Sequence, residues 1–218
     1  MIFRAALVSA VVSSVVALAE KTEPPNFMPG VVVNALAEGN AAFEKQDLPV
    51  ARRAYEQVLK VDPRNVAALV NLGLIEIQLK NPKRAEELLN QAVDIRIDTP
   101  QAWLALGMIH MDAEKPDAAL AALSQAVLRD PENPKARNFL GVVIGRRGWI
   151  DGAQAELRRA VELDPAYADA HYNLAVFYLQ EKPPAVELAR RHYFKARELG
   201  VEKDPEMEKV FRQPPTTP

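Results

Sequence analysis

No cysteine occurs among the 218 residues. The chain therefore has no disulfide framework, thiolate zinc site, iron–sulfur cluster, cysteine nucleophile or lipid-modified cysteine. Histidine is almost as scarce: His110, His171 and His192 are the whole set, too scattered for a metal site by local spacing. Each is expected to pack rather than ligate. An excess of one charge is also missing, since 27 Lys and Arg stand against 29 Asp and Glu, for a formal charge of -2. Nucleic-acid binding draws on counterion release by clustered cations, so no nucleic-acid partner is expected. Gly141 to Gly148 superficially resembles a phosphate loop, but it lacks the Gly-Lys-Ser/Thr ending and follows no strand pattern. No nucleophile, base and oxyanion donor assemble, so neither an enzyme nor a cofactor is expected.

A membrane-length apolar run is absent too. The apolar segment from Ala5 to Ala19 has 15 residues, short of the roughly 20 a spanning helix needs. It follows the basic start Met1-Ile2-Phe3-Arg4 and ends in Ala17-Leu18-Ala19, the layout of a secretory signal peptide with cleavage after Ala19. A periplasmic or secreted mature chain without a transmembrane span is the expectation; an uncleaved anchor is the alternative. Residues 20–31 carry Pro24, Pro25 and Pro29, which resist helix, and read as an extended linker.

What the chain does have is a period. Gly39, Gly73, Gly107 and Gly141 are spaced 34 residues apart, and an alanine follows each by 12 residues at Ala51, Ala85, Ala119 and Ala153. Seven residues further on come Val58, Ala92, Ala126 and Ala160. Small residues at such spacing let antiparallel helices approach closely, while Leu72, Leu106, Leu140, Tyr55, Leu89, Leu123 and Leu157 fill the space beside them. Turn residues recur between the helices at Asp47-Leu48-Pro49, Asn81-Pro82, Lys115-Pro116 and Gly148-Trp149-Ile150. Asp-Pro at 62–63, 130–131 and 164–165 ends the second helices, because the residue before proline avoids the helical region.

With these residues in place the chain resembles a tetratricopeptide repeat (TPR) protein, whose unit is a 34-residue helix–turn–helix. The match is fullest at Trp103, Leu106, Gly107, Ala119, Leu123, Ala126 and Pro131. The resemblance implies an all-α, right-handed superhelical solenoid of five repeats, at 32–65, 66–99, 100–133, 134–167 and 168–203, together 32–203. Repeat two departs from the pattern with Ile97 in place of the proline, and repeat five has two extra residues near Glu181 to Pro184. A stack of repeats needs a polar or amphipathic end. Residues 204–212 fit a capping helix, with Asp204 as N-cap and Met207, Val210 and Phe211 covering repeat five; 213–218 is expected to be a disordered tail.

In TPR proteins the first helix of each repeat lines a concave surface, and the resemblance carries that groove onto this chain residue by residue. It comprises Asn40 and Phe43 in repeat one; Val70, Asn71, Leu74 and Ile77 in repeat two; and Leu104, Met108 and Met111 in repeat three. Repeat four supplies Lys135, Asn138 and Arg146, and repeat five Tyr172 and Asn173. The implied groove is apolar over repeats two and three. Asn40 and Asn71 match members of the carboxylate clamp of some TPR domains, but Leu36, Gln101 and Ala105 stand where its cations belong. The expected ligand is thus an internal apolar protein or peptide segment, its backbone held by the asparagines and its side chains met by adaptable methionines. The functional expectation is an exported adaptor or scaffold binding a partner segment in this groove. The alternative is a structural subunit of an envelope complex, docking through the convex face or a solenoid end.

Overall fold

The computed structural model describes residues 30–212 and, among them, eleven α-helices and no strand. The segments read as signal peptide (1–19) and tail (213–218), and the linker up to residue 29, lie outside the described residues. The helices come in pairs: α1 (Gly30–Glu44) with α2 (Leu48–Val61), and α3 (Val66–Gln78) with α4 (Pro82–Ile95). Next come α5 (Pro100–Asp112) and α6 (Pro116–Arg129), then α7 (Pro134–Arg146) and α8 (Ile150–Leu163). The last pair is α9 (Ala168–Leu179) and α10 (Val186–Glu198), followed by α11 (Pro205–Arg212). Because α1 starts at Gly30, the last two residues read as linker are helical.

Two compact units divide the chain, one through Ile109 and one from His110. In the first, α1 packs on α2, α2 on α3 and α3 on α4. In the second, α6 to α10 pack each on the next, α7 also touches α9, and α11 rests on α10.

Local chemistry sets the helix ends. Asp47, Asn65 and Asn133 cap α2, α3 and α7 by accepting from the amides of Val50, Ala68 and Ala136. Within Asp62-Pro-Arg-Asn65 and Asp130-Pro-Glu-Asn133, the asparagine amide donates to the aspartate at 3.0 Å, tying the end of one repeat to the start of the next. The turn inside each of the first four repeats has a feature the sequence did not announce. Gln46, Lys80 and Glu114 adopt φ of 59°, 61° and 54°, and Gly148 takes the same role at 86°. The amide after each of them then reaches back to a carbonyl of the first helix, as Asn81 does to Glu76 at 2.8 Å.

Gly73 and Gly141 lie against the backbone of Ala85 and Ala153, as the small-on-small contact requires, and the large residues sit closer than simply beside them. A Cβ added to Gly39 would lie 2.8 Å from the Tyr55 ring, and one on Gly73 or Gly141 would lie 2.8 Å from Cγ of Leu89 or Leu157. Each glycine therefore makes room for the large side chain of the second helix, which sits directly over it. Ala51, Ala85, Ala119 and Ala153 are fully buried beside these contacts.

Asp204 caps α11 by accepting from the amides of Glu206 and Met207. Met207 and Phe211 are buried, but Val210 is 37% exposed, so two of the three expected residues cover repeat five. Eight residues bring only two turns, and a stripe that narrow has room for Met207 and Phe211 on one side.

Candidate protein-binding surface

The asparagines of the first helices are used inside the fold. In the first unit the Tyr55 hydroxyl donates to Asn40 Oδ1 at 2.7 Å, and Asn71 Nδ2 donates to Tyr55 Oη at 3.1 Å and to Asn40 Oδ1 at 3.4 Å. Tyr55 is fully buried, and that burial pushes its hydroxyl above the usual tyrosine range, so it stays protonated. In the second unit Asn173 Nδ2 donates to Asn138 Oδ1 at 2.9 Å, and Asn138 Nδ2 to Tyr167 Oη at 3.3 Å. Asn71, Asn138 and Asn173 are all buried. Instead of clamping a ligand's backbone, these side chains join the first helices of successive repeats. The amides expected to hold a ligand's backbone thus have partners within the fold, as buried polar groups generally do.

Much of the expected apolar groove is buried for a related reason. Phe43 and Val70 are 3% exposed, Leu74 and Met108 2%, and Leu104 8%. They belong to the core. A first-helix residue that faces inward also borders the next repeat, and burial against helices gains more than exposure to solvent. Of the expected apolar set, Ile77, Met111 and Tyr172 stay half-buried; Val33 and Leu36 on α1 are 45% exposed and half-buried, and Val176 and Leu179 on α9 are half-buried. Of the histidines, His171 is buried and His110 half-buried.

Charge is the chemistry that remains reachable. Glu44, Asp112 and Arg146 are exposed, and Lys135 and Asp169 half-buried. In the second unit burial raises the Asp112 carboxyl, with Arg146 opposing, and raises that of Asp169 as well. Burial also lowers Lys135, with Asp164 opposing. The Tyr172 hydroxyl donates to Asp204 Oδ2 at 2.7 Å, linking the face of α9 to the capping helix. Its own ionisation is pushed up by burial and by that carboxylate.

Sequence reading missed one cluster. Glu76, with no exposed side-chain surface, pairs with Arg52 Nε at 2.9 Å and Arg84 Nε at 3.5 Å, while Asn81 Nδ2 donates to its other oxygen at 2.9 Å. Arg84 also reaches Glu56 at 2.8 Å. The available signal was a lone acid inside the apolar run Leu74-Ile75-Glu76-Ile77. Other apolar side chains are exposed away from the first-helix faces: Leu128 at 71%, Ile97 at 61% and Trp149 at 55%. Arg147 stacks on Trp149 at 5.4 Å and pairs with Asp117. Among the described residues no group of three His, Cys, Asp or Glu could hold a metal ion, and no helix is long and apolar enough to cross a membrane.

Tetratricopeptide repeat family models match residues 36–102, 104–148 and 146–181. The chain belongs to the tetratricopeptide repeat family. Solved structures agree. A crystal structure of MamA is 25% identical, covers 88% of this chain and 100% of its own, and superposes with a TM-score of 0.66. A second MamA structure is 26% identical over 79% of this chain and 96% of its own, with a TM-score of 0.64. YrrB, described as a TPR protein with an unusual peptide-binding site, is 22% identical over 92% of this chain and 98% of its own, with a TM-score of 0.66. That last likeness shows the fold alone. No curated protein matches by sequence. The fold is that of a helical-repeat scaffold for protein–protein interaction, a class that is generally non-enzymatic.

Proposed function

We propose that this chain is an exported adaptor of the cell envelope that binds a partner polypeptide across the first-helix faces of its repeats. The observation that carries the reading is the composition of what those faces leave accessible. In the second unit Met111 and Tyr172 offer partial apolar contact and Asp112, Lys135 and Arg146 supply charge; in the first, Ile77 offers partial apolar contact and Glu44 supplies charge. Small apolar anchors within a polar border suit a partner whose side chains alternate in character better than one that is apolar throughout. Export is supported by the basic start, the 15-residue apolar segment and Ala17-Leu18-Ala19.

A second reading, a structural subunit docking through other faces, is favoured by exposed Leu128, Ile97 and Trp149. One experiment separates the two. A photo-crosslinking residue at Ile77 or Met111 is expected to trap an envelope polypeptide in living cells, and Met111→Glu to abolish that adduct at unchanged helical content. Crosslinks that form only from Leu128 and Trp149 would transfer the function to the second reading. N-terminal sequencing of the native chain is expected to begin at Glu20; Met1 retained in a soluble cytoplasmic pool would remove the export.

A further inference from the structure

Two of the three histidines meet. His171 on α9 and His192 on α10 bring their Nδ1 atoms to 2.9 Å, with ring centroids 5.1 Å apart. Tyr178 also stacks on His192 at 5.7 Å. The proton count of the pair follows from its third contact. His171 Nε2 lies 3.2 Å from the Pro165 carbonyl, which accepts only, so Nε2 carries a proton and in the neutral ring Nδ1 is an acceptor. When both imidazoles are neutral, the proton between the rings therefore belongs to His192 Nδ1. Protonating both would set two N–H groups and two positive charges against each other at hydrogen-bond distance.

The surroundings oppose the charge further. Arg191 and Lys195 on α10 act on His171, Arg191 acts on His192, and Asp164 at the end of α8 is the single acid that favours a charged His171. Burial is the largest cause, lowering His171 against the opposing bond to the Pro165 carbonyl and, with His171 and Arg191, bringing His192 down from 6.5 to about 4. What rides on the contact is more than one helix pair. The neighbouring Tyr193 is fully buried, and its hydroxyl accepts from the Asp204 amide at 2.9 Å and donates to Glu208 at 3.2 Å, so α10 carries the seat of α11.

We propose that the His171–His192 pair is a proton-sensitive latch: neutral, it holds α10 against α9, and in acid, protonation of both rings opens the C-terminal repeat and unseats α11. The sign is fixed by linkage. The opened state binds more protons, so closure is fully favoured above the ordinary histidine value and weakens as pH falls below it. With His192 titrating near 6.5 when open and about 4 when closed, the opening equilibrium rises on the order of tenfold from pH 7 to pH 5.

Amide hydrogen exchange on the full chain, corrected for intrinsic rates, reads this directly. Between pH 7 and pH 5, α10 and α11 are expected to lose protection about tenfold more than α3 and α4, and His192→Phe, which keeps the stack on Tyr178, is expected to remove the difference. An equal change in both regions, or a difference that survives in folded His192→Phe, overturns the latch. Should that variant not fold, proton NMR of the wild-type imidazoles decides: midpoints for His171 and His192 both well below that of an unfolded control support it, and unshifted midpoints for both refute it.

Discussion

The second repeat buries a carboxyl group among arginines where the fifth sets a buried imidazole against a half-buried one. In repeat two, Glu76 is locked by Arg52, Arg84 and Asn81, groups drawn from α2, α4 and the turn between α3 and α4. In repeat five the helices are joined by the His171–His192 contact, and α11 is held through the hydroxyls of Tyr172 and Tyr193. Both repeats close a helix pair of the same kind. The lesson is that the repeat frame prescribes where small and large side chains meet but leaves the polar closure open, so two repeats of one chain close with different chemistry.

The sharpest way to break the comparison is through the glycines. A Cβ on Gly145 would lie 2.2 Å from the buried Phe177 ring, whereas one on Gly73 would lie 2.8 Å from Leu89 Cγ. Gly145→Ala is expected to cost about 3 kcal/mol and Gly73→Ala closer to about 1 kcal/mol. Chemical denaturation measures both, and equal costs would mean that Phe177 swings aside. The next largest effect is expected at the charge cluster. Glu76→Gln keeps the shape and an acceptor for Asn81 but removes the charge shared with two arginines, at a cost of about 2 kcal/mol. Its protection loss should centre on α3 and α4, and an equal loss in α9 and α10 would dissolve the contrast between the repeats.

The smallest effect belongs to Tyr172→Phe, which removes one hydrogen bond to Asp204 and is expected to cost about 1 kcal/mol, read as lower exchange protection of α11. The same substitution sharpens the pH comparison. Burial raises the Asp204 carboxyl, but bonds from Tyr172 and the amides of Met207 and Glu206 outweigh it and hold it below its ordinary 3.8. That contribution is present above 3.8 and is lost only as pH falls further, beneath the window in which the histidines act. Loss of protection between pH 7 and pH 5 should therefore persist in Tyr172→Phe.

The repeat frame was legible because its signals are local or strictly periodic. Gly39, Gly73 and Gly141, the alanines that follow them and the Asp-Pro breaks each act within one helix pair, and Asp204 could be read as a cap from the residues just after it. The site was legible only in outline. Leu74 and Met108 look like groove residues from their place on a first helix, and Asn71 and Asn138 look like ligand-binding amides for the same reason. Nothing within a single repeat says that Tyr55 or Tyr167 will supply their hydrogen bonds.

By itself, then, the sequence determined the helix pairs, their 34-residue register and the family they form, since packing of small against large residues at helical spacing is written in the order of the chain. Only the tertiary structure decided which first-helix positions remain accessible. That outcome depends on side chains from neighbouring repeats competing for the same surface: Phe177 fills the space over Gly145, and Tyr55 satisfies Asn40 and Asn71. It also set His171 against His192, residues 21 apart whose meeting depends on how α9 and α10 are rotated about their axes.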